Sequence, residues 1–413
     1  MKHSSSSPLR VVLSGIGGYG INYVRALLEL HAQGKIIFAG AADPTPERCV
    51  ELPRLKEAGV PIYSALEDFY AAQHADLAAL STPIHLHLSQ IVLALGHDSH
   101  VLVEKPLCAT VQEADAAIRA RDRAGRVAAV GYQWSYRPAV LNLKRDILAG
   151  RMGAPKRLKT LALWPRGHNY YGRNRWAGAL KAGEAWVLDS PVMNATAHYL
   201  HNMLYLLGRD LASSAEPARI SGELYRANAI SNYDTAALRC LTKGGVEVLF
   251  YSTHAVVDHY GPVSRYEFEE AEVSYNDESH PGRFSARFKD GTMVDYGSPE
   301  EGGFAKIAAV VAAARGEPAH ICTLEAARPH VLCVNGLQEA ARGGVAFPAA
   351  MVKEVEKDGQ RFTYAEGLAE AWKDAYARAR LPHEAGVPWA RAGVEIDLEG
   401  YGTFPSQRRS GSG

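Results

Sequence analysis

The chain has 413 residues, too many for one ordinary hydrophobic core and enough for two domains. Hydrophobic residues make up 47% and charged residues 22%, while Lys+Arg and Asp+Glu both number 45. A surface so balanced has no net field to gather nucleic acid or an anionic membrane, which leaves a neutral soluble enzyme or binding protein.

Cys49, Cys108, Cys240, Cys322 and Cys333 form no CxxC pair, so neither a disulfide framework nor a thiolate zinc site is expected. The stretch Met1 to Pro8 is polar and Ser-rich with no apolar run behind it, so it does not read as a secretory signal. No apolar run reaches the ~18 residues that a membrane span needs. The end, from Ser406, reads as a polar tail. A reducing cytoplasm is the expected compartment.

The first third alternates short apolar runs with longer amphipathic ones, the pattern of βαβ units and a parallel sheet. Strands are expected at Leu9 to Ser14, Ile36 to Ala42, Asp76 to Ser81, Val101 to Glu104 and Val127 to Tyr132, with a helix from Tyr19 to His31. Strand candidates then follow one another at 156–164, 218–226, 234–241, 245–253, 263–269 and 283–288, which predicts a mostly antiparallel sheet. One long helix, Pro191 to Leu207, interrupts them, and helical stretches near 303–315 and 324–342 come late. The fold class is thus a Rossmann doubly wound parallel sheet followed by a domain with a large, mostly antiparallel open sheet. The division expected is 1–135 for dinucleotide binding, 136–342 for substrate binding and oligomerisation with late helices returning to the first domain, and a carboxy-terminal extension over 343–413.

Gly15-Ile16-Gly17-Gly18-Tyr19-Gly20 is a GxGxxG that follows a strand and opens a helix. The first glycine permits the tight turn, the second lets backbone approach a pyrophosphate, and the third allows close helix–strand packing, while the helix amino terminus offers N–H groups to the anion. Asp43 ends the second strand, 23 residues after Gly20. A carboxylate there accepts hydrogen bonds from both ribose hydroxyls and repels a 2′-phosphate, which argues for NAD over NADP.

The segment Asp76-Leu-Ala-Ala-Leu-Ser-Thr82-Pro83-Ile-His85-Leu-His87, followed by Glu104-Lys105-Pro106, together with the glycine loop resembles the glucose–fructose oxidoreductase / inositol dehydrogenase / rhizopine-catabolism (Gfo/Idh/MocA) family over about residues 9–150, more weakly to about 342. Lys105 has a case of its own: it ends a buried strand where ligands of open α/β sheets bind, and Pro106 holds it in extended backbone. Desolvation there lowers a lysine's hold on its proton, and the resemblance implies proton transfer at the reacting hydroxyl. The resemblance also lays Thr82 and Pro83 along the cofactor, and His87 is taken with them as a cofactor-lining candidate. His85 and His87 lie two apart without nearby carboxylates, so no metal is expected. Glu104 either orients Lys105 or approaches the nicotinamide ribose. Gln133 matches a position near the nicotinamide in relatives, but the arginine that follows there is Ser135 in this chain.

In the long helix, Ser190 is a natural N-cap and Pro191 suits the first turn. Asn194, His198 and His201 fall at i, i+4 and i+7 on one face. The resemblance gives His198 the role of assisting proton removal, and places Asn194 where the family has Asp. Asparagine orients a hydroxyl but accepts no proton, which shifts acid–base work onto Lys105 and His198; Asp189 lies before the N-cap and is a weaker candidate to compensate. Before this helix, the segment from Arg166 to Trp176 is rich in Arg, Asn and aromatic residues, which suit sugar faces and hydroxyls. Arg173 and Trp176 are the expected substrate contacts there.

These readings converge on an NAD-dependent oxidoreductase acting on a secondary hydroxyl of a sugar, sugar derivative or cyclic polyol. Two other readings remain: a glycoside-cleaving enzyme working by transient oxidation and elimination, and a non-catalytic cofactor-bound sensor. The resemblance further implies a homodimer or homotetramer.

Overall fold

The computed structural model describes residues 7–406; the Ser-rich beginning and nearly all of the polar end discussed above lie outside the described residues. The chain divides into two units. The first comprises residues up to Cys108, Glu113–Tyr136 and Gly302–Leu324, and the second Ala109–Gln112, Arg137–Glu301 and everything from Glu325 onward.

In the first unit, β1 (Leu9–Ser14), β2 (Ile36–Ala42), β3 (Ile62–Tyr63), β4 (Leu77–Leu80), β5 (His100–Val103) and β6 (Ala128–Val130) form one parallel sheet in the order β3-β2-β1-β4-β5-β6. Val11, Val12 and Leu13, Leu77 to Leu80 and Val101 to Val103 are almost wholly buried. These continuous apolar runs are what a sheet covered on both faces requires. The chain order reverses between β1 and β4, and the loops after β1, β4, β5 and β6 all leave from the carboxyl ends of their strands. That is where open α/β sheets bind ligands.

The second unit is built on β7 (Pro155–Leu163), a small hairpin of β8 (Lys181–Ala182) and β9 (Ala185–Trp186), β10 (Pro217–Arg226), β11 (Thr235–Thr242), β12 (Glu247–Thr253), β13 (Tyr260–Phe268), β14 (Ala271–Asp277), β15 (His280–Phe288), β16 (Met293–Gly297), β17 (Val345–Ala346), a hairpin of β18 (Val352–Lys357) and β19 (Gln360–Ala365), and β20 (Ile396–Asp397). The large sheet runs β16-β15-β14-β13-β7-β12-β11-β10-β17, with β20 also on β10. Its neighbours are antiparallel except β7–β12 and β10–β17. Strands β14 and β16 were not expected: β14 is short of apolar residues and β16 is a half-exposed edge.

Both faces of the sheet centre are covered. On one, Thr160 Oγ1 lies against Met203 Sδ at 3.4 Å, beneath the buried helix Ala197–Leu206. On the other, Leu161, Leu163, Ala237, Leu249 and Tyr251 pack against Leu368, Trp372 and Ala375 of the helix Leu368–Arg378. Polar links fasten that carboxy-terminal segment: Lys159 Nζ donates to Tyr376 O at 2.9 Å, and Arg239 makes a two-pronged ion pair with Glu384. Residues from the expected carboxy-terminal extension over 343–413 thus cover one face of the sheet over β7, β11 and β12. The late residues are part of the second unit's core, because a sheet apolar on both faces needs two covers.

Among the described residues no helix is long and apolar enough to cross a membrane.

Candidate active site

The glycine loop joins β1 to the helix Gly20–Ala32. Gly15 lies at φ +85°, and a Cβ there would meet Ser81 O at 2.4 Å. A Cβ on Gly20 would stand 2.1 Å from Gly15 O. Both positions exclude any side chain because backbone closes on backbone. Gly18, at φ +54°, has nothing within 4 Å of where a Cβ would be, and Gly17 meets only the Asp43 carboxylate at 3.9 Å. The loop thus has a tight frame and an open front. Among the described residues the N–H groups of Gly17 and Gly18 have no main-chain acceptor. An open front with backbone donors at a helix amino terminus fits a pyrophosphate.

Asp43 follows β2 and is fixed by backbone: Oδ2 accepts from Ile16 N at 3.0 Å and Oδ1 from Thr45 N at 2.9 Å. Oδ1 also accepts from Thr45 Oγ1 at 3.3 Å, so it is Oδ2 that keeps a lone pair for a ribose hydroxyl. Tyr19, 44% exposed, donates its hydroxyl to Gln133 Oε1 at 3.2 Å, joining the glycine loop to the end of β6. Thr82 and Pro83 leave β4 half-buried, with Thr82 Oγ1 donating to Gln90 Oε1 at 2.8 Å.

His87 does not take the place expected of a cofactor-lining residue. It is 1% exposed, with Nδ1 2.9 Å from Pro106 O and Nε2 2.9 Å from Thr82 O. Both ring nitrogens face main-chain carbonyls, and the neutral ring donates to one of the two, so His87 packs between the loop after β4 and the turn after β5 rather than facing a ligand. Burial holds its pKa below the usual histidine value, against the pull of those carbonyls.

Lys105 is half-buried at the carboxyl end of β5, preceding Pro106. Glu104 behind it is 6% exposed, and its carboxylate turns inward. Oε1 accepts from Tyr23 OH at 2.5 Å and pairs with Lys306 Nζ, while Oε2 accepts from Lys105 N at 3.3 Å. Lys306 is 2% exposed, with its ammonium 4.6–5.0 Å from the ring centres of Tyr19, Tyr23 and Phe304. Burial, and then the Glu104 charge, raise the Tyr23 hydroxyl well above its ordinary pKa. Of the two roles open to Glu104, this geometry supports orienting the Lys105 backbone, with its remaining capacity given to Tyr23 and Lys306. Lys306 lies 202 residues from its partner, and no local pattern marked it.

In the second unit, the long helix opens as expected: Ser190 Oγ accepts from Met193 N at 3.1 Å and Pro191 follows. Pro191–Ala195 then forms a wide π turn, with Thr196 N donating to Pro191 O at 2.8 Å, before the α-helix Ala197–Leu206. Thr196 Oγ1 also bonds Pro191 O and reaches Ser252 Oγ at 3.0 Å. The single stripe of Asn194, His198 and His201 is therefore corrected: the wide turn inserts a residue into the helical period. Asn194 and His198 are half-buried, whereas His201 is 1% exposed and stacks on Tyr205 in the core.

The same turn brings Asp189 to Asn194. Asn194 Nδ2 donates to Asp189 Oδ1 at 2.8 Å, and Gly178 N to Asp189 Oδ2 at 2.7 Å. Asp189 is 2% exposed, so a carboxylate placed low by sequence position stands within one hydrogen bond of the asparagine. Nearby, Arg173 lies over the Tyr170 ring at 3.5 Å and 5.6 Å from the half-buried Trp176 ring. Asn174 Oδ1 accepts from the N–H groups of Trp176 and Ala177, which fixes the turn carrying them.

Residues 9–132 match the family model described as "Oxidoreductase family, NAD-binding Rossmann fold" (GFO_IDH_MocA). The scyllo-inositol 2-dehydrogenase (NAD(+)) of Bacillus subtilis is 26% identical over 215 residues, 51% of this chain and 58% of that protein. An inositol 2-dehydrogenase of Burkholderia multivorans is 25% identical over 50% of this chain and 56% of its own length. The chain thus spans less than two thirds of the length of these relatives. Among solved structures, the WlbA dehydrogenase from Chromobacterium violaceum, crystallised with NADH and UDP-GlcNAcA, is similar with a TM-score of 0.69 at 20% identity, over 88% of this chain and 98% of that one.

Proposed function

Because residues 9–132 carry the NAD-binding Rossmann fold of the Gfo/Idh/MocA oxidoreductases, we propose that the chain is an NAD-dependent dehydrogenase oxidising a secondary hydroxyl of a sugar, sugar derivative or cyclic polyol. The observation that carries this is the glycine loop with its closed frame and open front, next to an aspartate held by backbone. Gly15 to Gly20 would hold the pyrophosphate, Asp43 the adenosine ribose, and Thr82, Pro83 and Gln133 the remainder of the dinucleotide. Bound NAD supplies the acceptor for the two electrons leaving the substrate carbon.

Lys105 takes the acid–base role in the first unit. Its backbone is braced by Glu104, and the ammonium of this half-buried residue is suited to releasing and regaining a proton at the substrate oxygen. In the second unit His198 is assigned the other acid–base role. Asn194, whose amide N–H is engaged by Asp189, orients a hydroxyl. Arg173 and Trp176 supply directional and stacking contacts to the ring. The inositol dehydrogenases and the WlbA dehydrogenase both act in a chemistry of this kind by their names. The five cysteines are free and buried, which supports a reducing, cytoplasmic location. Self-association as a homodimer or homotetramer belongs to the same proposal.

The test is NADH formation with inositols, hexoses and sugar acids. Lys105→Ala is expected to lower turnover by ~10²–10⁴-fold while still binding NADH. Normal turnover by that variant would remove Lys105 from the chemistry.

A further inference from the structure

The segment between β7 and the helix of the second unit concentrates positive charge on aromatic rings. The Arg166 guanidinium lies 5.0 Å from the Tyr170 ring centre and 5.4 Å from that of Trp164, and Arg173 lies 3.5 Å from Tyr170. Arg166 Nη1 donates to Pro165 O at 3.2 Å. Besides the rings, Arg173 hydrogen-bonds the Tyr170 side chain and Arg166 the Pro165 carbonyl, which leaves several N–H donors of the two guanidiniums for something else.

His254 closes the same cluster. It is 2% exposed, its ring centre is 5.7 Å from Tyr170, and its Nδ1 donates to Trp164 O at 2.7 Å. The Nε2 atom is buried without a hydrogen-bond partner, and so is the hydroxyl of Tyr171. Burial first, then the Arg166 and Arg173 charges, press the His254 pKa down to about 3. The ring is therefore neutral at physiological pH, its single proton lies on Nδ1 facing the carbonyl, and Nε2 is a lone-pair acceptor. A buried acceptor and a buried hydroxyl left without partners make a site that expects a polar guest, and the two guanidiniums favour negative charge on the guest's outer side, away from the Asp189 and Asp234 carboxylates that bear on Tyr170 and Tyr171.

We propose that this site takes a polyol or sugar bearing an anionic group, a carboxylate or a phosphate, which Arg166 and Arg173 hold beside Tyr170 while His254 Nε2 accepts from a hydroxyl. The inference deepens the dehydrogenase reading and rests on it for the polyol, but the anion requirement comes from the arginines alone. Planar guanidiniums suit both anions, because two parallel N–H donors match two oxygens of either group. The stacked rings keep the guanidinium planes in place, so little side-chain freedom is lost on binding.

The experiment is isothermal titration of the NADH-loaded protein with matched sets: a neutral hexose, its uronic acid and its 6-phosphate, and inositol beside an inositol phosphate. At least one anionic probe is expected to bind ~10-fold or more tightly than its neutral twin, with the advantage shrinking at high salt. Preference for uronates identifies a carboxylate, and preference for phosphates a phosphate. Arg166→Met is expected to cut the anion-to-neutral ratio by ~10-fold or more with NADH affinity retained, and Arg166→Lys to restore part of it. His254→Gln should weaken both members of a pair alike. If no anionic probe binds more tightly than its neutral twin, or if Arg166→Met leaves the ratio where it was, the inference is overturned. An acid that binds through Arg166 but is never oxidised would uphold this inference and sink the dehydrogenase reading.

Discussion

Replacing Lys306 by Met isolates the buried charge behind Lys105. The side chains of Lys306 and Glu104 are 2% and 7% exposed, so removing the ammonium strands a carboxylate in the core of the first unit. Breaking a buried pair from one side costs ~3–5 kcal/mol. Here two donors stay with the carboxylate, Tyr23 OH at 2.5 Å and Lys105 N at 3.3 Å. They soften the loss, so the expected cost is at the low end, ~3 kcal/mol. Methionine fills most of the lysine stem's volume among Tyr19, Tyr23 and Phe304, which keeps any cavity contribution small. Adding Glu104→Gln removes the stranded charge, and the double variant is expected to recover at least half of the loss. The assay is urea unfolding followed by hydrogen exchange in β4, β5 and β6, which reports the first unit alone. A cost under ~1 kcal/mol, or a double variant no more stable than Lys306→Met, would refute the idea that the ammonium compensates Glu104.

Asp43→Ala removes the acceptor that fixes Ile16 N and Thr45 N, and it is expected to lower the NAD-to-NADP preference by ~10-fold or more, read from the two apparent affinities. For pH, His254 binds its proton near 6.5 when unfolded but only at about 3 when folded. The unfolded state holds more protons between these values, so stability is complete above 6.5 and is lost as pH falls toward 3, by up to ~1.4 kcal/mol per pH unit. His254→Gln should flatten that slope in urea titrations at stepped pH; an unchanged slope would show that other groups set it. Trp372→Ala opens a cavity under Tyr225, Tyr251 and Leu368 and is expected to destabilise the second unit by ~3–5 kcal/mol, measured by urea midpoint. A cost near zero would mean that the late helix is a detachable cover.

The first unit was legible because its signals are local: strand, glycine turn and helix are contiguous, and Asp43 and Lys105 stand at strand ends where backbone alone places them. What escaped reading was non-local. Lys306 sits at the start of a helix of alanines and valines, with nothing nearby to say that a carboxylate 202 residues away waits for it. Two adjacent carbonyl-rich turns claim His87 only once β4 and β5 are paired. The wide turn at Pro191–Ala195 depends on Thr196 bonding Pro191 and Ser252, so a strict helical period misplaced His201 and undervalued Asp189. The carboxy-terminal cover did have a signal: Leu161 to Leu163 and Val248 to Tyr251 are apolar on both faces, and a sheet with one open face would alternate.

Dinucleotide binding by the glycine loop is the claim on which the dehydrogenase reading stands, and fluorescence titration with NADH tests it without knowing the substrate. The intact chain is expected to show saturable binding, and Gly20→Ala, whose methyl would stand 2.1 Å from Gly15 O, to lose it by ~100-fold or more while β1, β4 and β5 keep their hydrogen-exchange protection. An intact chain that does not bind NADH, or a Gly20→Ala chain that binds it as well as the parent, would contradict the account.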